Sequence, residues 1–506
     1  MELHIGKQPV FIHQMLLEAE LEQPVECDVL LPDYCEDIQK ILKCTMEPVV
    51  TRQEAVERRL ELEGFCLVTV YYRSPEGQLC RGEYRVPFSK TAELKGTAQN
   101  PIVWVQGLCS YINCRAVSSR RLDIRGAAAL RVAVSDMCEE QAVCSAGGKG
   151  LQLRQTSLNS TRIVQQTCRS LGLVEELELP ESKEGVAAVL RVGACARVLD
   201  CKTLAGKVIL RGEAVVRFLY RSAGGKCETM EVTLPLSQMT DAEGVGEGSH
   251  CFARLSVQTA TVERCDSQQD DRRVKISLTL NAHLRVHQEY QALCSSDCYS
   301  TRYECGCKTR TVALLELTQE VDRTFLYRSR MELPEGVDSI TDLWCRVADW
   351  KVKREDADAV ICGKLCVSLF GCRGGEAPEY YEKLVDFEER VAVGQGEVVF
   401  RPSLRVMGQS YSFGGEGCLE LRCEVAVSGC AYRCTSQPVI CDITLDETKP
   451  KQAPAQKGLY ICCAEPGEEL WEIARRYNTS VDYILEENQL QEGCLEKRTT
   501  LLVPVL

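Results

Sequence analysis

Between residues 60 and 72 the chain alternates, with Leu60, Leu62, Gly64, Cys66, Val68, Val70 and Tyr72 on one parity and Glu61, Glu63 and Thr69 on the other. A period of two predicts a strand with one face turned to a core. The pattern returns 148 residues later as Val208, Leu210, Gly212, Ala214, Val216, Phe218 and Tyr220, and 151 after that as Ala359, Ile361, Gly363, Leu365, Val367 and Leu369. The first two copies run on into Arg73-Ser74 and Arg221-Ser222. Upstream lies a second anchor, Leu31-Pro32-Asp33, Leu179-Pro180-Glu181 and Leu333-Pro334-Glu335. Downstream lies a third, Arg121-Leu122-Asp123-Ile124, Arg273-Val274-Lys275-Ile276 and Cys418-Leu419-Glu420-Leu421. Same order and similar spacing indicate a threefold repeat of about 150 residues.

Within each repeat the pattern is mostly that of strands, such as 126–134 and 275–286, ending at Ser, Gly or Asp clusters. Two stretches ahead of Leu-Pro anchors, 161–173 and the Leu-rich 312–322, read as helical. Ala223-Gly224-Gly225-Lys226 and Gly374-Gly375-Glu376 fit hairpin turns. The expectation is a mainly β chain with some helix. Three tandem sandwich-like domains, 1–150, 151–305 and 306–445, stand in series, each with its own core. Residues 446–456, with two prolines and no aromatic, read as a semi-extended linker, spanning at most ~35 Å.

The last segment, 457–506, has a different pattern. A short apolar run, Leu459–Cys463, leads through Pro466-Gly467 to Leu470, Ile473, Ala474 and Tyr477, spaced as one face of a helix. Residues 481–488 read as a second short helix, and Thr500–Pro504 as a closing strand. A small tethered βααβ unit follows from this.

Composition narrows the function classes. Of the 506 residues, 60 are Lys or Arg and 73 Asp or Glu, a net charge of −13, which does not invite nucleic acid or an anionic membrane face. The start lacks a basic region followed by an apolar one, and no apolar run reaches the length of a membrane span. The expectation is therefore an intracellular protein without a transmembrane segment. There the 31 cysteines stay reduced and act as small core residues.

Candidate chemistry is sparse. His283 and His287 are four apart, but within a strand-like run that spacing separates them by about 13 Å. Cys294, Cys298, Cys305 and Cys307 could ligate zinc, though no Cys-x2-Cys pair supports it and Cys-x3-Cys recurs at Cys362/Cys366 and Cys430/Cys434 alone. The Gly-rich runs Ala146–Gly150 and Gly244–Gly248 lack the spacing of a phosphate loop and read as turns. Gly408–Ser412 does not complete a nucleophile elbow. Arg73 and Arg221 read as strand-end residues paired to acids, and Trp471 as a core residue first and a contact second. No catalytic residue, metal site or cofactor is assigned.

Two resemblances add to this. Tyr460, Pro466-Gly467-Glu468-Glu469-Leu470-Trp471, Ile473-Ala474, Tyr477-Asn478, Val481, Leu485, Asn488 and Leu501-Leu502-Val503-Pro504 resemble a LysM domain. The family's Gly-Asp-Thr turn is Gly467-Glu468-Glu469 here, and nine acids against five bases leave the module at −4. The three repeat anchors resemble the SPOCS domain of clostridial spore-coat proteins. The whole layout is similar to spore-coat morphogenesis proteins that join such repeats to a C-terminal LysM domain. The resemblance implies a non-catalytic scaffold in the mother-cell cytoplasm, at the forespore surface, binding the coat's basement-layer ATPase. It places a partner- or glycan-binding groove at Gly467, Glu468, Glu469, Leu470, Leu485 and Asn488. The other reading is a protein that binds peptidoglycan, an N-acetylglucosamine polymer, at cell wall or spore cortex.

Overall fold

A computed structural model describes residues 3–505 apart from 243–244, 247–248, 266–270, 375–376, 415–416, 452–457, 491–494 and 496. The chain is mainly β with two short helices near its end. Unit one comprises β1 (His4–Leu30), β2 (Lys40–Arg73), β3 (Leu79–Ala98), β4 (Pro101–Ser118) and β5 (Arg121–Gly147). Unit two comprises β6 (Leu151–Glu178), β7 (Val186–Leu204), β8 (Lys207–Ser222), β9 (Cys227–Asp241), β10 (His250–Arg264) and β11 (Arg273–Ser300). Unit three comprises β12 (Tyr303–Glu332), β13 (Ser339–Glu355), β14 (Asp358–Cys372), β15 (Glu379–Ala392), β16 (Val398–Phe400), β17 (Ser403–Phe413) and β18 (Cys418–Pro450).

Each unit repeats one layout. A long antiparallel ribbon, β1–β5, β6–β11 or β12–β18, carries a shorter edge strand on its second member, namely β4, β10 or β17. A meander packs against it, β7-β8-β9 in unit two and β13-β14-β15 in unit three. In unit one β2 turns back on itself near Glu57, which has φ +52°, so that the Thr51 hydroxyl reaches the Glu63 carbonyl at 3.2 Å. Its two arms and β3 make the equivalent meander.

The alternating runs are the middle strands of these meanders. Leu60, Leu62, Val208, Leu210, Ile361 and Leu365 are at most 1% exposed, in three separate cores. The glycine of each run lies where the neighbouring strand crosses closest. A Cβ would stand 2.1 Å from the Val49 carbonyl oxygen at Gly64, 2.5 Å from that of Arg197 at Gly212, and 2.7 Å from that of Asp349 at Gly363. The Leu-Pro anchors share a turn: Leu31, Leu179 and Leu333 donate their N–H groups to Arg120, Arg272 and Gly417 at 2.8–2.9 Å.

The units do not follow one another in series. At one end their meanders meet in an apolar head cluster with Tyr71 and Leu79 from unit one, Leu190 and Leu219 from unit two, and Phe370 from unit three. At the other end the three ribbons run on side by side as a stalk, sharing Val10, Ala142, Leu158, Ala292, Val312 and Val439. Residues 161–173 and 312–322, expected as helix, are the stalk strands β6 and β12. Over 312–315 Val312, Leu314 and Leu315 are buried and Ala313 half-buried, so alternation is lost and a helical face imitated. Beyond Thr161, by contrast, 161–173 is half-buried or exposed and is held as strand by its pairing with β11. Residues 446–450 of the expected linker are the end of β18, where Glu304 pairs with Asp446 and Tyr303 with Pro450. Positions 452–456 of that linker, 375–376 of one expected turn, and 244 and 247–248 of another lie outside the described residues.

The C-terminal module is a two-stranded sheet, β19 (Gly458–Ala464) and β20 (Thr499–Val505), with α1 (Leu470–Arg476) and α2 (Val481–Asn488) on one face. Its core holds Cys462, Ala464, Leu470, Ile473, Ile484 and Leu501.

Candidate interaction site: the module and its seat on the stalk

The stalk tip is built from two turns. Gly148, Lys149 and Gly150, all at positive φ, connect β5 to β6, and Ser300–Arg302 connect β11 to β12. The Ser300 hydroxyl accepts the Arg302 and Tyr303 N–H groups at 3.1 and 3.2 Å and donates to the Lys149 carbonyl at 2.8 Å. The Thr301 N–H donates to the Gly150 carbonyl at 2.9 Å, which locks the two turns together. The Gly-rich run here is thus a turn, as the sequence suggested.

Beside this tip, β11 presents Asp297 and Tyr299. The Trp471 ring meets the Tyr299 ring edge-on at 4.9 Å between centroids. Trp471 Nε1 and Arg475 both donate to one Asp297 oxygen, at 2.8 and 2.9 Å. Burial pushes the Tyr299 hydroxyl above its ordinary range, so it stays protonated and donates to the Thr479 carbonyl at 2.7 Å. Arg154 pairs with Glu469 at 2.8 Å, and Lys451 donates to the Asn478 side chain at 2.9 Å. Tyr299 is 3% exposed and belongs to the module's own core. The module is therefore seated on the body.

The site residues expected from sequence divide by role. Gly467 has φ +86° and donates its N–H to the Leu495 carbonyl at 2.7 Å, bringing the loop after α2 against the turn. The Glu468 carboxylate accepts the Glu465 N–H at 3.2 Å and pairs with Arg476 at 2.9 Å. Glu469 caps α1 with its backbone and reaches Arg154 with its side chain. Leu470 is wholly inside the core, and Leu485 packs against that core from its edge. The Asn488 amide brackets β20, donating to the Leu502 carbonyl and accepting its N–H, both at 2.7 Å. So Gly467 to Glu469 form an acidic turn whose half-buried glutamates pair through their carboxylates with Arg476 and Arg154, and Leu470, Leu485 and Asn488 hold it in place. Positions 491–494, in the facing loop, lie outside the described residues.

Asp297, Tyr299 and Arg154 escaped the sequence reading. They sit in a Cys-dense stretch whose only legible signal concerned thiols, and no local pattern announces a partner 174 residues further on. The thiols themselves separate. Cys298 and Cys305 come to 3.6 Å between sulfurs. Cys294 instead packs in the stalk core with Val10 and Val312. Cys307 is exposed. Among the described residues no group of three or more His, Cys, Asp or Glu is arranged to hold a metal, and the cysteines are free. His283 and His287 point to different partners, Ser256 at 3.1 Å and Tyr432 at 2.7 Å. Arg73 pairs with Glu379 of unit three at 3.0 Å, while Arg221 reaches the amide oxygen of Gln78 in unit one. Among the described residues no helix is long and apolar enough to cross a membrane.

The family model described as SipL, SPOCS domain, matches residues 37–117 and 186–264. These segments hold β2–β4 of unit one and β7–β10 of unit two, the meander plus the edge strand of the ribbon. Unit three places β13–β17 in the same layout. No curated protein and no solved structure matches the chain.

Proposed function

We propose, on the premise that the chain carries SPOCS domains of the SipL family in tandem and is a sporulation-related protein, that it is a non-catalytic scaffold of spore-coat assembly. The observation that carries this reading is the seated module: an acidic turn, paired with Arg154 and Arg476, held at the tip of a stalk to which all three units contribute. A module already fixed on its body reaches a partner without the ordering cost of a free tether. The likeness of 457–506 to a LysM domain supports a recognition role, and the acidic turn suits a protein with a basic patch better than a neutral sugar. In this reading the partner's basic side chains compete with Arg476 and Arg154 for Glu468 and Glu469, which Leu470, Leu485 and Asn488 position. The partner class is the coat's basement-layer ATPase, met in the mother cell at the forespore surface.

Affinity capture from sporulating cells tests this. The full chain is compared with one ending at Lys451 and with a Glu468→Lys/Glu469→Lys variant. One dominant coat partner is expected to disappear on truncation and to be weakened by charge reversal. An unchanged partner list overturns the proposal. Salt-resistant retention of the full chain on purified peptidoglycan would replace it with the glycan-binding reading.

A further inference from the structure

Between the head cluster and the stalk the units surround a solvent-open cavity of about 810 Å³. All three contribute to its wall, with His13 and Trp104 from unit one, Arg254 and His283 from unit two, and Arg401 and Tyr432 from unit three. Unlike the apolar clusters above and below it, this space is lined by cations. Arg52, Arg254, Arg285 and Arg401 face it, against the carboxylates of Glu47 and Glu54.

The charges there do not cancel. Glu54 is taken by Arg52 at 2.7 Å, and Arg401 pairs with Glu18 at 3.0 Å. Arg285 spends its donors on neutral groups, the Gln166 amide oxygen at 3.0 Å and the Tyr432 hydroxyl at 3.1 Å. The Arg254 guanidinium has no hydrogen bond or ion pair to any described residue, while its backbone lies opposite His283 in the β10–β11 ladder. Burial, and then Arg405 and Arg285 beside it, lower its proton affinity to about 10. The same burial and the same arginines hold His283 neutral, down to about 3. Glu47 is itself pushed up by burial, and the cation acting on it is Arg346.

Arg254 is half-buried at the wall of this solvent-open cavity, and like charges beside a cation that has no carboxylate of its own raise the cost of keeping it there. Packing gives no reason for it. On β10 the same wall carries apolar Phe252 and Val257 beside polar Ser256 and Gln258, so a neutral side chain at position 254 would fit it equally well. What the arrangement lacks is an anion. A chain with a net charge of −13 that sets Arg254 and Arg285, neither paired with a carboxylate, in one cavity wall has there a local potential opposite to its net charge.

We propose that this cavity binds a small multivalent oxyanion, a phosphate ester or a polycarboxylate. Arg254 and Arg285 are its principal ligands, and the Ser256 hydroxyl and the neutral His283 ring are polar partners at the wall. Planar guanidinium forks pair with two oxygens of either group. The volume is that of a metabolite site and is too small for a folded partner. Since residues of all three units line it, the ligand would also bridge them.

Calorimetric titration of the full-length protein at low ionic strength, with pyrophosphate and with citrate as separate probes, tests this. One saturable site per chain is expected with at least one probe. Pyrophosphate alone identifies phosphate esters, citrate alone identifies polycarboxylates, and both support the class as stated. Arg254→Met is expected to weaken binding at least tenfold, and Arg285→Gln to weaken it as well. Lys202→Met, on the outside of β7, leaves it unchanged. Absence of saturable heat from either probe up to about 10 mM overturns the proposal, as does binding that survives both arginine variants. The titration of the unaltered protein decides the matter even if a variant does not fold.

Discussion

The three units touch in two places that answer the same problem in opposite ways. In the head, Arg191 is buried against the Trp344 ring, 4.7 Å from its centre, and its Nε lies 2.6 Å from Asp342. Asp342 also accepts from Arg217 at 3.2 Å, and its second role is to hold the Leu343 N–H at 2.9 Å. In the cavity wall, half-buried Arg254 stands beside Arg285 with no carboxylate of its own. The head closes its charges within the chain and so can be dry. The cavity leaves its charges open. A buried cation matched inside the chain is architecture, whereas an unmatched one is a request for something from outside.

The sharpest way to break this comparison is to remove the head's carboxylate. Asp342→Ala leaves two arginines without a partner, one of them fully enclosed, and is expected to lower unfolding free energy by about 3–5 kcal/mol. Urea denaturation measures it, with an unchanged slope showing that the same surface still unfolds. Replacing Arg191 and Asp342 together by Met and Leu is expected to restore part of that loss, because only Arg217, whose side chain keeps 22% exposure, is left without its carboxylate. If the double replacement is as unstable as the single one, the head depends on the ion pair itself.

The seat of the C-terminal module is an intermediate case. One carboxylate, Asp297, serves Trp471 and Arg475, and its side chain is 27% exposed. Asp297→Ala is expected to cost about 2–3 kcal/mol of local stability. That loss should appear as faster amide exchange across 470–488 while the stalk strands keep their protection. Uniform exchange across module and stalk would show that the two do not unfold separately.

Much of this architecture is legible in the sequence, and what is missing has a physical cause. The meander strands and Leu-Pro turns are readable because each has one buried face and one wet one, so parity survives in the residue pattern. Gly64, Gly212 and Gly363 recur because backbone from the next strand approaches there, a constraint local enough to repeat with the unit. The stalk is not readable in this way. Residues such as Val312, Leu314 and Val439 are buried by neighbouring units, and a strand covered from several directions has no single polar face to show. The turn at Gly467–Glu469 was found from its residues, but its neighbour Arg154 was not. The cavity cations were invisible for the same reason. Arg254 and Arg285 read as ordinary outward positions of alternating strands, and only the arrangement of three units sets them in one cavity wall.

Acid should expose the cavity's imbalance next. His283 is protonated near pH 3 in the fold and near 6.5 when unfolded. Between those values the unfolded chain binds more protons, so stability falls as pH drops below about 6.5 and this residue has no more to remove below about 3. From pH 7 to 5 its share is about 2 kcal/mol. His13 and His287 are lowered as well, both chiefly by burial, and act in the same direction. His283→Gln is expected to flatten the loss of stability between pH 7 and 5 by about its share. A variant with the same acid slope as the parent would place the effect on other groups.

The smallest effect has the opposite sign, and for that reason it separates the two regions most cleanly. Arg254→Met removes one member of a like-charged group and gives up no hydrogen bond or ion pair to a described residue. If the cavity were built as the head is, this substitution would cost several kcal/mol. Relief of repulsion with Arg285 and Arg405 and of the desolvation of a guanidinium instead offsets the lost solvation of an open cavity. The unfolding midpoint is then expected to stay within about 0.5 kcal/mol of the parent or to rise. The gain should shrink as salt is added, because mobile anions already screen the arginines in the parent. The comparison must be made without phosphate or citrate in the buffer. A bound oxyanion stabilises only the parent, by mass action, and would turn a neutral substitution into an apparent loss that scales with anion concentration. A clear loss of stability in chloride alone would mean that Arg254 holds the units together through contacts of its own, and the contrast between head and cavity would then be one of degree.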